Sequence, residues 1–134
     1  EINKACQEVL AKGLADMGVL TVSAEESLKP EVGLHRRWTL HGVSHHLGLD
    51  VHDCAQARKE MYLDAPLREG MVLTVEPGLY IQPDDELFAP EYRGIGIRIE
   101  DDVVVTADGC RNLSEDIPRH PDDIEKWMKQ ILGR

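Results

Sequence analysis

Five of the six histidines fall between residues 35 and 52, and four of them stand in the run His41-Gly-Val-Ser-His45-His46-Leu-Gly-Leu-Asp-Val-His52. Random placement would scatter them. His41 and His45 are four residues apart and share a face if the segment is helical. Gly42 and Gly48 allow tight backbone turns that can aim several imidazoles at one centre. This is not the HExxH zinc-protease motif, because Gly42 stands where that motif has glutamate. Two carboxylates lie in surroundings that do not suit surface acids. Glu76 follows Met71-Val-Leu-Thr-Val75 and precedes Pro77-Gly-Leu-Tyr80, and Glu100 closes Ile95-Gly-Ile-Arg-Ile99. An acid at the end of a buried strand must be paired or metal-bound, since an isolated buried charge is too costly. A salt bridge between Glu100 and Arg98 is the simplest structural account. Arg98 and Glu100 share a strand parity, so an arginine there can also orient a ligand carboxylate. Histidine with two glutamates suits Mn²⁺, Co²⁺ or Zn²⁺ better than Ca²⁺.

The elements that must position these groups can be read from periodicity. Ile2, Val9, Leu10, Leu14 and Met17 recur at helical spacing, which predicts a helix over 2–17 with Gly18 as its stop. Ser23-Ala-Glu-Glu26 resembles a capping box opening a short helix that Pro30 limits. Residues 19–40 otherwise keep no period. The β-rich run from Val72 to Ile81 breaks at Pro77-Gly78, and 82–94 reads as a polar loop. Ile95–Thr106 reads as two strands broken near Asp101-Asp102, with Ile95, Ile97 and Ile99 on one parity. A turn at Ala107-Asp108-Gly109 leads to a short return strand at Arg111-Asn-Leu-Ser114. Pro121-Asp-Asp-Ile-Glu opens a last helix to about Ile131. The pattern is α+β.

The chain has 134 residues and a net charge of −10, with 42% hydrophobic residues. That suits one compact domain. An acidic surface repels nucleic acid and anionic membranes, so neither is expected as a partner. No apolar run reaches the roughly 20 residues of a membrane span. Cys6, Cys54 and Cys110 form no CxxC pair and no disulfide framework, which suits a reducing cytoplasm. Cys54, two residues past His52, invites a nucleophile reading but is expected to be a small buried or half-buried thiol. His46 is expected to pack or to stand at a pocket rim. His35 and His120 are expected to be solvated, Asp84-Asp85-Glu86 and Asp122-Asp123 to be loop and helix-start charges, Asp101-Asp102 to close a turn, and Trp38 and Trp127 to pack.

Three stretches, HGVSHHLGLDVHD, GMVLTVEPGLYI and YRGIGIRIEDDVVVT, occur in this order. Together they resemble successive signatures of the M24 metallopeptidases of pita-bread fold, and among these the Xaa-Pro aminopeptidases. The resemblance runs from the first helix to PDDIEKWM. It implies the C-terminal half of a pita-bread fold, a curved antiparallel sheet with helices on one face, with residues 1–134 forming the C-terminal part of the catalytic domain. It also implies a dinuclear site, usually manganese with cobalt or zinc as alternatives, held by two Asp, one His and two Glu. By motif His45, Glu76 and Glu100 are three of these ligands. His41 and His52 fall on substrate-binding and proton-shuttling positions, and Tyr80 and Arg98 on positions that orient the ligands. The two aspartates of the family pattern have no counterpart here, nor do the amino-terminal domain and the first half of the catalytic duplicate.

The reaction so implied is hydrolysis of the bond before a proline at the second position of a peptide. Glu76 takes the proton of the attacking water, His52 helps stabilise the oxyanion, and His41 shapes the pocket on the proline side. Two readings compete. Prolidase shares the three motifs but takes dipeptides, and a metal-free pita-bread relative would only bind peptides or proteins. Methionine aminopeptidase fits the histidine segment poorly. Half of a pseudo-symmetric fold exposes apolar surface, so a homo-oligomer or pairing with the missing half is expected.

Overall fold

The computed structural model describes residues 1–133. Helix α1 spans Ile2–Asp16, one residue short of the expected end. Gly18 closes it at φ +73°, with Gly18 N–H donating to Ala15 and Val19 N–H to Leu14. This is a Schellman ending, and the left-handed glycine makes it cheap. Helix α2 (Ala24–Ser27) starts at Ser23, whose hydroxyl accepts from Glu26 N–H at 3.1 Å. Half of the predicted capping box is therefore formed; the Glu26 carboxylate turns to Lys29 instead. A 3-10 turn at Leu34–Arg37 follows, then a one-turn helix α3 (Lys59–Tyr62). Both are too short to leave a period in the sequence.

The strands are β1 (Val72–Val75), β2 (Gly78–Tyr80), β3 (Gly96–Arg98), β4 (Asp101–Thr106) and β5 (Gly109–Asn112). They pair as two antiparallel sheets, β1-β4-β5 and β2-β3. Val75 faces Asp101 in the first, and Gly78 faces Arg98 in the second. The register is thus the same on both sides of the gap, so the two sheets are halves of one long ribbon, 72–80 against 96–104. Pro77 interrupts it because it has no N–H to donate. The break on the second strand falls at Ile99-Glu100, not at Asp101-Asp102, which instead begin β4. The return strand starts two residues earlier than expected, directly after the two-residue turn. Helix α4 (Pro121–Leu132) carries Pro121 in its first turn as predicted.

The core consists of Leu14, Trp38, Ile81 and Phe88, with Leu79, Val19 and Leu20 packed against it. Trp38 and Phe88 meet edge to face at 5.5 Å. Trp38 C=O also accepts from Tyr80 N–H at 2.9 Å, which ties the core to β2. Asp85, expected as a solvated loop charge, is 1% exposed. It accepts from Trp38 Nε1 at 2.6 Å, Arg37 Nε at 3.0 Å and Leu87 N–H at 3.1 Å. A buried carboxylate is tolerable because each oxygen is satisfied. His35, also expected to be solvated, is buried and bonded to Ser27 through Oγ and the carbonyl. Trp127, expected to pack, is 47% exposed, and Cys54 and Cys110 are exposed free thiols. No helix among the described residues is long and apolar enough to cross a membrane.

The Arg37 guanidinium bonded to Asp85 holds its carboxyl below the usual carboxylate range, with Trp38 and Leu87 N–H acting in the same direction against burial. A lowered folded pKa contributes stability above the unfolded value near 3.9 and loses it as pH falls through the folded value. Asp85→Asn is therefore expected to cost about 1–2 kcal/mol at pH 7. Thermal melts should show the gap to wild type shrinking by pH 3. An equal gap at both pH values contradicts the account.

Candidate metal centre

The break in the ribbon is where the two carboxylates meet. With the register unchanged across it, Glu76 stands opposite Glu100. Like charges directly opposed across a ribbon repel. On the other edge of β1, residues 43–47 run extended and antiparallel to it. Glu76 N–H donates to Val43 at 2.8 Å, Thr74 N–H to His45 at 2.9 Å, and His46 bridges Leu73. The histidine segment is therefore extended, not helical, and His45 shares the face of Thr74 and Glu76 through strand alternation. Ligand atoms of His45, Glu76 and Glu100 all lie within 4.8 Å of one another.

Thr74 organises this face. Its hydroxyl accepts from His45 N–H at 3.1 Å and donates to Glu76 Oε1 at 3.3 Å. Sequence reasoning missed it, although it shares the parity of Glu76 two residues away. His45 Nδ1 lies 3.0 Å from the His46 carbonyl, which can only accept, so this nitrogen carries the proton. Nε2 then faces Glu76 Oε1 at 3.1 Å. A ring nitrogen beside one carboxylate, with a second carboxylate across the ribbon, is a donor set that can hold a divalent cation. Imidazole with two carboxylates fits Mn²⁺, Zn²⁺ or Co²⁺.

A second cluster adjoins the first. His41 Nδ1 donates to Gly42 C=O at 2.7 Å, which leaves Nε2 to accept from Tyr80 Oη at 2.7 Å and Arg98 Nη2 at 3.1 Å. Arg98 Nε donates to Tyr80 Oη at 2.9 Å and lies 3.6 Å from Glu76 Oε2. Arg98 thus pairs with Glu76 across the ribbon, not with Glu100 on its own strand. Tyr80 lies over two glycines: a Cβ on Gly78 would come within 2.5 Å of its Oη, and one on Gly96 within 2.9 Å of Cδ1. Both positions must be bare for the ring to reach Arg98 and His41.

His52 reaches the site as well, its ring 4.4 Å from that of His45 and nearly perpendicular to it. Glu100 departs from expectation: it is exposed, because β3 pairs only with β2, and Ile95, Ile97 and Ile99 along this stretch remain 42–57% exposed. His46 packs edge-on against Tyr62 at 4.9 Å and lines a cleft of about 660 Å³ beside His45, as expected for a rim residue. Neighbouring Asp53 raises the Cys54 thiol pKa, which disfavours the thiolate that a nucleophile needs.

The sequence profile of metallopeptidase family M24 matches residues 1–107. Xaa-Pro aminopeptidase 1 of Streptomyces coelicolor is 56% identical over 133 residues, 99% of this chain and 27% of that protein. Aminopeptidase P of Escherichia coli, solved with the inhibitor Pro-Leu, superposes with a TM-score of 0.80 at 42% identity, over 96% of this chain and 28% of that one. Aminopeptidase PepP of Pseudomonas aeruginosa superposes at 0.85 with 38% identity, over 98% and 29%. The chain therefore spans little more than a quarter of the length of the relatives it matches.

Proposed function

This chain belongs to metallopeptidase family M24, and on that premise we propose that it carries part of the dinuclear metal site of a Xaa-Pro aminopeptidase. One observation carries the reading: His45, Glu76 and Glu100 converge on one face of a ribbon whose opposed carboxylates call for a cation. In this proposal residues 1–134 are the C-terminal part of the catalytic domain, and two aspartate ligands come from outside them. The metal is manganese by preference, the compartment the cytoplasm, and the substrate a peptide with proline second.

Divalent ions held there supply Lewis acidity and an activated water at neutral pH. The chain's own groups do the rest. Glu76 Oε1, steadied by Thr74, accepts the proton of the attacking water. Arg98 keeps the other Glu76 oxygen turned inward. His41 has both nitrogens engaged, so it serves as a fixed wall on the proline side and not as a shuttle. His52 makes no ring hydrogen bond among the described residues and sits against His45, which leaves it able to donate to the developing oxyanion. A proline peptide offers no N–H, so pocket shape selects it.

The test is hydrolysis of an Xaa-Pro-Xaa tripeptide by the intact protein with Mn²⁺. Release of the first residue is expected, lost at least about 100-fold on chelation and restored by Mn²⁺. Cleavage confined to Xaa-Pro dipeptides would mark a prolidase. Peptide binding with neither bound metal nor cleavage would mark a binding module and end the enzymatic reading.

A further inference from the structure

Glu100 is the least supported member of the metal centre. Among the described residues its carboxylate accepts no hydrogen bond, whereas Glu76 is held by Thr74 and flanked by His45 and Arg98. The aim of Glu100 is therefore set by its backbone, at the point where the ribbon is interrupted. The next residue is the opposite case. Asp101 accepts from Arg119 Nε at 3.1 Å to both oxygens, from Arg119 Nη2, and from Ser114 Oγ at 2.8 Å. Ser114 Oγ also accepts from Asp102 N–H at 3.1 Å, and Leu113 N–H donates to Asp102 C=O at 2.7 Å. Arg119 further donates to Ser114 C=O at 3.0 Å, binding the loop between β5 and α4 to the start of β4. Asp101 faces Val75, the residue before Glu76, so this clamp grips the ribbon at the level of both carboxylates.

We propose that Arg119, acting through Asp101, is the positioning residue that sets Glu100 for metal binding, a role that rests on the reading of His45, Glu76 and Glu100 as ligands. Adjacent residues point to opposite faces of a strand, so Arg119 holds the back of the ribbon while Glu100 presents on the front. A planar guanidinium bonding both carboxylate oxygens fixes rotation as well as distance, which an ammonium cannot do. Residues that orient a ligand in this way are worth about 10–100-fold in metal affinity.

The test is Mn²⁺ binding to the intact protein, followed by the electron-paramagnetic signal of free Mn²⁺, with melting curves on the same samples. Arg119→Met is expected to weaken binding about 10–100-fold, and Arg119→Lys to recover it only in part. Arg37→Met breaks a comparable ion pair to Asp85 away from the site. It should lower the melting temperature yet leave Mn²⁺ affinity within about twofold. An effect on Mn²⁺ as large as that of Arg119→Met would reduce the clamp to general stability and overturn the proposal. Glu100→Gln separates the two levels of the argument. If it weakens binding while Arg119→Met does not, the clamp alone is wrong; if neither weakens binding, the ligand reading falls with it.

Discussion

Glu76→Gln is expected to lower turnover of an Xaa-Pro-Xaa tripeptide by about 10²–10⁴-fold at saturating Mn²⁺, the range for losing a positioned general base. The substitution keeps shape and removes charge. The fold should tolerate it, because the group at the Oε1 position can keep a neutral contact in either orientation: a carbonyl there still accepts from Thr74, and an NH2 there donates to His45 Nε2, 3.1 Å from that oxygen in the wild type. Melting curves in chelator should therefore stay within a few degrees of wild type while kcat collapses. Arg98 loses its ion pair at 3.6 Å but keeps its bonds to Tyr80 and His41, so the second cluster should persist. KM should move little, since the proline-side wall is made by His41 and Tyr80. Turnover within tenfold of wild type at measured full metal occupancy would remove Glu76 from the role of base.

What the sequence made legible was mostly local. Helix α1 was readable because its apolar spacing agrees with the packing that buries Ala11 and Leu14, and α4 because Pro121 and the acidic first turn mark its start. The two carboxylates were readable because each follows an apolar β-rich run. Their opposition across the ribbon was not, since it depends on a register that only pairing fixes. The histidine segment left its conformation open: four-residue spacing shares a face if the stretch is helical, and it is the hydrogen bonds of residues 43–47 to β1 that make the stretch around His45 extended. Asp85, His35 and Asp101 were misplaced for a shared reason. Polar side chains are exposed by default, and their partners, Trp38 and Arg37, Ser27, and Arg119, lie 8 to 48 residues away. Trp127 failed in the reverse direction, as an apolar residue on a helix that no other described element covers.

The opposed carboxylates also predict a sign reversal in stability. Without metal, Glu76 and Glu100 repel, with ligand atoms of the site no more than 4.8 Å apart. Neutralising one should therefore stabilise the metal-free protein by about 0.2–1 kcal/mol, the scale for charges facing across a ribbon. With metal the order inverts. At Mn²⁺ a hundredfold above Kd, wild type gains about 2.7 kcal/mol by mass action, which raises its Tm. Glu100→Gln should melt slightly above wild type in chelator and well below it in Mn²⁺. The crossing separates a metal ligand from a structural acid: a carboxylate kept for a salt bridge would destabilise both states when neutralised. The exposure of Glu100 favours the crossing, because an exposed acid with no hydrogen bond of its own has little native stabilisation to lose. A Glu100→Gln protein whose Tm rises with Mn²⁺ as far as wild type does would show that the cation is held without it.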